Sequence, residues 1–257
     1  PAIVTRRVDS PESPTAAAIR YAPFRKVIAI SDNVEAVLRK SRVRNRKLAT
    51  IRSAVAVDAM MPNVDRAILH REFDIPVGAY AIAVVAQLIK RKGHRFLLDV
   101  LPGLLAEHPG IKVVFFGEGS SETQLRALTS KLGLSGAVRF AGFRDDLDDY
   151  LAAFDLLVHP AEQEALGGAM LKAAAAGLPV IAFDIPGSAE AVDHARTGIL
   201  VAPGDFSGLQ RAIGVLIDEP AIGADLGAAG RQRMQDEFSV AVMVERYLRL
   251  YEDLLNA

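Results

Sequence analysis

The 257-residue chain contains no cysteine and no tryptophan. Without thiols there are no disulfides and no thiolate metal ligands, which agrees with a reducing compartment, and the expected location is the cytoplasm. Five histidines, His70, His94, His108, His159 and His194, show no His-x-x-x-His spacing, so nothing in their pattern points to a zinc site. No apolar run reaches the roughly 18 residues of a membrane span, and the first residues lack the charged, apolar and small-residue order of a signal peptide. Also missing are a Gly-x-Ser-x-Gly nucleophile elbow and a Gly-x-x-x-x-Gly-Lys-Ser/Thr phosphate loop, which argues against a serine hydrolase and a P-loop NTPase. The chain starts at Pro1, not Met, and AIVTRR reads as a strand already under way, so a fragment of a longer protein is expected.

What is present is an apolar, mixed-charge composition. A hydrophobic content of 51% over 257 residues can bury a large core, and the length suits one or two domains. Charge is unevenly spread. Residues 1–52 hold twelve Lys and Arg against four Asp and Glu, net +8, which leaves −9 for the rest of a chain whose total is −1. The densest stretch, RKSRVRNRK from Arg39 to Lys47, reads as a solvated helix end or as a surface for anionic lipid or a phosphorylated acceptor. Nucleic acid is disfavoured because no aromatic residues interleave with the basic ones.

Short apolar runs alternate with helical periodicity. Residues 27–31 read as a strand, Ser31 or Asp32 caps a helix to about Arg39, and 48–53 return as a strand, one βαβ unit. An irregular stretch from about 54 to 75, with AMMP and DIPVG as breakers, carries the expected domain boundary. The pattern then restarts: strands at 80–88, 111–116, 137–140, 154–158 and 179–183 alternate with helices at 93–107, 120–132, 145–152 and 165–176. A short strand, ILV, precedes helices at about 206–218, 221–235 and 240–255. Continuous apolar strands between helices imply an α/β fold with a Rossmann-like, doubly wound parallel sheet covered on both faces.

Residues 162–182, EQEALGGAMLKAAAAGLPVIA, are the most telling. A carboxylate at Glu164, glycines at Gly167 and Gly168, a small-residue helix and a β-branched run describe a loop, a helix start and a strand. Such a helix start can hold a phosphate, because its free N–H groups and positive dipole end favour an anion. Glu164 then lies just outside, where a hydroxyl donor would go.

The stretch HPAEQEALGGAMLKAAAAGLPVIA resembles the donor-site signature of the group 1 glycosyltransferases, the retaining, nucleotide-sugar-using enzymes of the two-domain GT-B fold. LIKRKGHRFLLDVLPGLL, VVFFGEGSSETQLRAL, VRFAGFRDDLDDYLAAFDLLVHPAE and GSAEAVDHARTGILVAPGD match in the same order, so the resemblance covers roughly residues 80–257. It implies that residues 1–72 are the remnant of an acceptor-side domain, 73–238 a nucleotide-sugar-binding domain, and 239–257 a terminal helix crossing back. It implies a diphosphate on the N–H groups around Leu166, Gly167 and Gly168, and Glu164 as the acid that holds a hydroxyl of the donor sugar. The alternative for Glu164 is an ordinary carboxylate complementing the helix dipole; for the two glycines, it is close packing.

Two positions depart from the family. The second acid, eight residues after the first, which accepts from the ribose, is here Lys172, and an ammonium has donors only. Lys or Gln at this place resembles a branch of lipopolysaccharide-core and heptose-type transferases. The usual Gly-Arg-Leu is Ala86-Gln87-Leu88, so of the two cations that clamp the diphosphate Lys92 is kept and the arginine is replaced by Gln87. Losing one charge-assisted hydrogen bond costs roughly 1.5 to 3 kcal/mol.

Gly117-Glu118-Gly119 ends a strand and opens a helix, as phosphate loops do and as plain βα turns also do. Gly142, Phe143 and Arg144 follow the next strand at the carboxyl edge, where open parallel sheets bind ligands, and the resemblance places them at the nucleobase. Glu190 fits a family position near the donor and reads equally as a helix-start carboxylate. Asp146-Leu147-Asp148 resembles the Asp-x-Asp metal motif of the GT-A fold but reads better as acids opening a short helix. His159 ends a strand beside the site. The resemblance therefore implies transfer of a sugar from a nucleotide donor to a glycan or lipid-linked acceptor, with no metal or other cofactor and with retention. A noncatalytic nucleotide-sugar-binding domain and a sugar-nucleotide 2-epimerase are the alternatives.

Overall fold

A computed structural model describes residues 2–60 and 65–256; part of the AMMP breaker lies outside the described residues. The chain begins with β1 (Ile3–Arg6), α1 (Pro14–Tyr21), β2 (Lys26–Ala29), α2 (Asp32–Lys40) and β3 (Leu48–Thr50). The three strands form a parallel sheet in the order β1-β2-β3. α2 starts where Ser31 Oγ accepts from Val34 N at 3.0 Å, with Asp32 and Glu35 in the first turn and Arg39 and Lys40 in the last, so capping and dipole agree.

Next come α3 (Ala67–Phe73), β4 (Tyr80–Val85), α4 (His94–Glu107), β5 (Ile111–Phe116), α5 (Glu122–Lys131), β6 (Val138–Gly142), β7 (Leu156–His159), α6 (Gly168–Ala175), β8 (Val180–Phe183), α7 (Pro186–Ala191) and β9 (Ile199–Val201). The chain ends on α8 (Phe206–Asp218), α9 (Pro220–Glu237) and α10 (Val240–Leu255). The six strands form a parallel sheet in the order β6-β5-β4-β7-β8-β9. Its strands are buried on both faces. Ile82 and Val84 of β4 join one apolar cluster with α4 and α8, while Ala81 and Ala83 face a second cluster that continues to Val27, Ala29 and Leu48 of the small sheet.

Several elements differ from the sequence reading. The strands expected at 48–53 and 80–88 end at Thr50 and Val85. α1, α3 and α7 were not anticipated. α3 occupies part of the stretch read as irregular and meets the expected boundary at 72/73, its Phe73 packing edge-on against Phe116 at 5.3 Å between ring centres. The helix expected at 145–152 is two separate 3-10 turns, Leu147–Asp149 and Leu151–Ala153. α10 lies along the small sheet, where Thr5 Oγ1 and Tyr247 Oη are 3.3 Å apart.

Candidate functional site

Strand order reverses between β4 and β7, and ligands of open parallel sheets bind at the carboxyl ends of such a pair. Two loops meet there, residues 86–93 after β4 and 160–167 after β7. They are pressed together at Gly93, which has a φ of +71° and no room for a side chain, since a Cβ would come within 1.8 Å of Pro160 O. This contact puts Lys92 beside the second loop. Lys92 Nζ donates to Glu164 Oε2 at 2.5 Å, and His159 Nε2 donates to the same oxygen at 2.9 Å. Burial pushes the Glu164 carboxyl upward, but the His159 hydrogen bond and the Lys92 charge outweigh it and bring the group from 4.5 to about 2. Glu164 is therefore ionised and positioned, with the side chains of Glu164 and Lys92 only 13% and 11% exposed.

Three residues on, Gly167 is the N-cap of α6 in a left-handed conformation, φ +82°, and a Cβ there would lie 2.1 Å from Met170 Cε. At Gly168 a Cβ would meet nothing within 4 Å, so the first turn of α6 opens into space. Two cavities share that opening. One, of about 900 Å³, is lined by Gln87, Gly117, Glu118, Phe143, Arg144 and Lys172 among others. The other, of about 360 Å³, lies between the two sheets and is lined by Glu164, Leu166, Gly167 and Lys172 on one wall and by Arg7, Ile30 and Ser53–Ala56 on the other. Gly168 and Lys172 line both.

Residues 65–233 match the family described as glycosyl transferases, group 1. The chain belongs to this family. It is 32% identical to the lipopolysaccharide core biosynthesis glycosyltransferase LpsE of Rhizobium meliloti over 73% of this chain and 53% of that protein. It is also 32% identical to glycogen synthase of Mycobacterium tuberculosis over 68% of this chain and 42% of the relative. The chain thus spans about half the length of the curated relatives it matches. Among solved structures, Anabaena Alr3699/HepE in complex with UDP and glucose superposes with a TM-score of 0.89 and 21% identity, covering 98% of this chain and 71% of that one. The fold is the mixed α/β, Rossmann-like fold of these GT-B glycosyltransferases.

Against the group 1 signature, the structure brings Lys92, Glu164, Leu166, Gly167, Gly168, Lys172 and, across the larger cavity, Gln87, Gly117, Glu118, Phe143 and Arg144 around one opening. Gly142 sits one step back, its amide oxygen accepting from Gly117 N at 2.7 Å. Arg144 is held by both oxygens of Asp146 at 2.7 Å and lies over the Tyr150 ring. Glu190 is turned toward the small sheet, where its carboxylate accepts from Asp32 N at 2.8 Å and Asn33 N at 2.6 Å and so caps α2. Two partners escaped the sequence reading. Asp148, weighed there only as half of a metal motif, accepts from Lys172 Nζ at 2.7 and 2.8 Å. Arg7, the second basic residue of TRR, lines the cleft opposite Glu164. Among the described residues no group of three or more His, Asp or Glu side chains is placed to hold a metal.

Proposed function

We propose that the chain is the donor-binding part of a retaining glycosyltransferase that moves a sugar from a nucleoside-diphosphate donor to a glycan or lipid-linked acceptor of the lipopolysaccharide type. One observation carries this reading: an ionised, buried carboxylate, Glu164, stands beside the unblocked first turn of α6 where a nucleoside-sized cavity and a sugar-sized cleft meet. The diphosphate lies on the N–H groups of Gly167 and Gly168, the nucleoside in the larger cavity near Phe143 and Arg144, and the sugar in the cleft, where Glu164 accepts from a hydroxyl. Preorganised donors around the leaving diphosphate supply the catalysis, with no metal or other cofactor assigned. The HepE structures with UDP, glucose and UDP-glucose support a uridine nucleotide, and the LpsE similarity supports an envelope acceptor. The small sheet is read as the end of an acceptor-side domain over residues 1–72, with 73–238 as the donor side and 239–257 crossing back. The enzyme works in the cytoplasm, with the basic residues of 1–52 against an anionic membrane face.

A noncatalytic nucleotide-sugar-binding role is favoured by Gln87, which leaves the diphosphate one cation short. Titration tests the sugar contact that both readings need, and transfer of the sugar to an acceptor by the full-length protein separates the two. Glu164→Gln should weaken a nucleotide sugar about tenfold more than the bare nucleoside diphosphate, since only the former presents sugar hydroxyls to a charged acceptor. Equal losses for both ligands would reduce Glu164 to a helix-end charge.

A further inference from the structure

The inter-sheet cleft carries four charged residues, Arg7, Asp148, Glu164 and Lys172. Three of them are already matched. Glu164 is neutralised by Lys92 at 2.5 Å, and Asp148 and Lys172 neutralise each other at 2.7 Å. Arg7 has no hydrogen-bond or ion-pair partner among the described residues, whereas the adjacent Arg6 is bound by Glu12 and by the carbonyls of Val8 and Ser10. The alternation of a strand explains the contrast. Arg6 closes β1 and turns one way into a carboxylate, and Arg7, leaving the strand, turns the other way into the cleft.

The opposite wall needs a cation. A helix N-terminus offers the equivalent of roughly half a positive charge, and a diphosphate separating from a sugar gains a full negative one. Lys92 is committed to Glu164, and position 87 is a neutral glutamine. We propose that Arg7 contacts the diphosphate of the donor from the small-sheet side of the cleft and stabilises it as the glycosyl bond breaks. The guanidinium, planar and always charged, suits two phosphate oxygens at once. The assignment rests on the donor-site reading above. It makes the small sheet a contributor to leaving-group binding and not only to the acceptor side.

The test compares uridine, guanosine and adenosine diphosphates with their monophosphates, titrated against the 257-residue chain. Arg7→Gln should lower diphosphate affinity by about tenfold to a hundredfold, the loss of one charge-assisted contact, while monophosphate affinity stays nearly unchanged. Arg7→Lys should recover part of the loss, because a point charge remains while the fork is gone. Arg25→Gln, the same charge change at a basic groove beside α10, should leave both affinities as they are. An unchanged ratio of diphosphate to monophosphate affinity in Arg7→Gln, or an equal loss in Arg25→Gln, overturns the Arg7 assignment and leaves the donor site standing. If the unaltered chain binds none of the nucleotides, the donor-site reading fails and the Arg7 assignment falls with it.

Discussion

At position 172 a lysine stands where the family has a ribose-binding acid, and its nearest carboxylate, Asp148, comes from a different loop 24 residues earlier. Both side chains are about two-fifths exposed, at 45% and 39%, so their attraction alone adds little stability, about 0 to 1 kcal/mol. The pair matters for what it places at the opening: an acceptor, Asp148, held by a donor. Lys172→Glu would set two carboxylates against each other beside the proposed diphosphate site. It should weaken nucleoside diphosphate binding several-fold, on the order of 1 kcal/mol, and the double change Lys172→Glu with Asp148→Asn should restore part of it. Tighter binding by Lys172→Glu alone would show that Asp148 has no part in the site. Glu164, Gly167 and Gly168 were legible because one short segment holds all three. Asp148 and Arg7 were not, because what brings them to the same cleft is the approach of distant chain, which spacing does not encode.

At the level of elements, the parallel sheet was legible because both faces are covered and its strands read as unbroken apolar runs. α1 was overlooked although its signal is present: Ser13 caps Ala16 N, and Pro14 opens the helix. α3 has a local start signal, Asp65 Oδ1 accepting from Ala67 N at 2.9 Å, but lies among breakers that mask it, and Phe73 fixes it by tertiary contact. α6 was expected from residue 165 and begins at Gly168, because Gly167 takes a left-handed conformation that a helix interior does not allow. The two glycines thus differ in kind. Gly168→Ala should leave thermal stability unchanged or slightly raised, since alanine favours helix by up to about 1 kcal/mol and meets no neighbour. The same methyl projects into the shared opening and should weaken diphosphate binding about tenfold, the equivalent of one lost hydrogen bond. Full binding by Gly168→Ala would remove the first turn of α6 from the phosphate site.

Across the whole molecule, a single apolar cluster joins the two sheets, so the chain should unfold by heat in one transition, seen together by far-ultraviolet circular dichroism and by tyrosine fluorescence. That transition should be acid-sensitive. His94, only 2% exposed, is held at about 4 instead of 6.5 by burial and by the neighbouring His159 and Lys92. Between these values the unfolded chain takes up the proton and the folded chain does not, so stability falls as pH drops, by about 2 kcal/mol from pH 6.5 to pH 5. Glu164 extends the loss below 4.5: from there down to about 2 the carboxyl of the unfolded chain takes up a proton that the ion-paired carboxylate of the folded chain does not. His94→Leu should flatten the upper part of this slope; an unchanged slope would mean that the imidazole titrates as in the unfolded chain.

The joint between the sheets has a mechanical side. Ser31 Oγ donates to Ala165 O at 2.7 Å and Asn33 Nδ2 donates to Glu164 O at 2.8 Å, so the cap of α2 grips the backbone that carries the site carboxylate. Any hinge that parts the sheets to admit or release a ligand has to let go of that backbone first. Opening would then slacken the backbone of the Glu164 loop while Lys92 and His159 go on holding its carboxylate, so the two sheets share the loop but only one of them owns the charge.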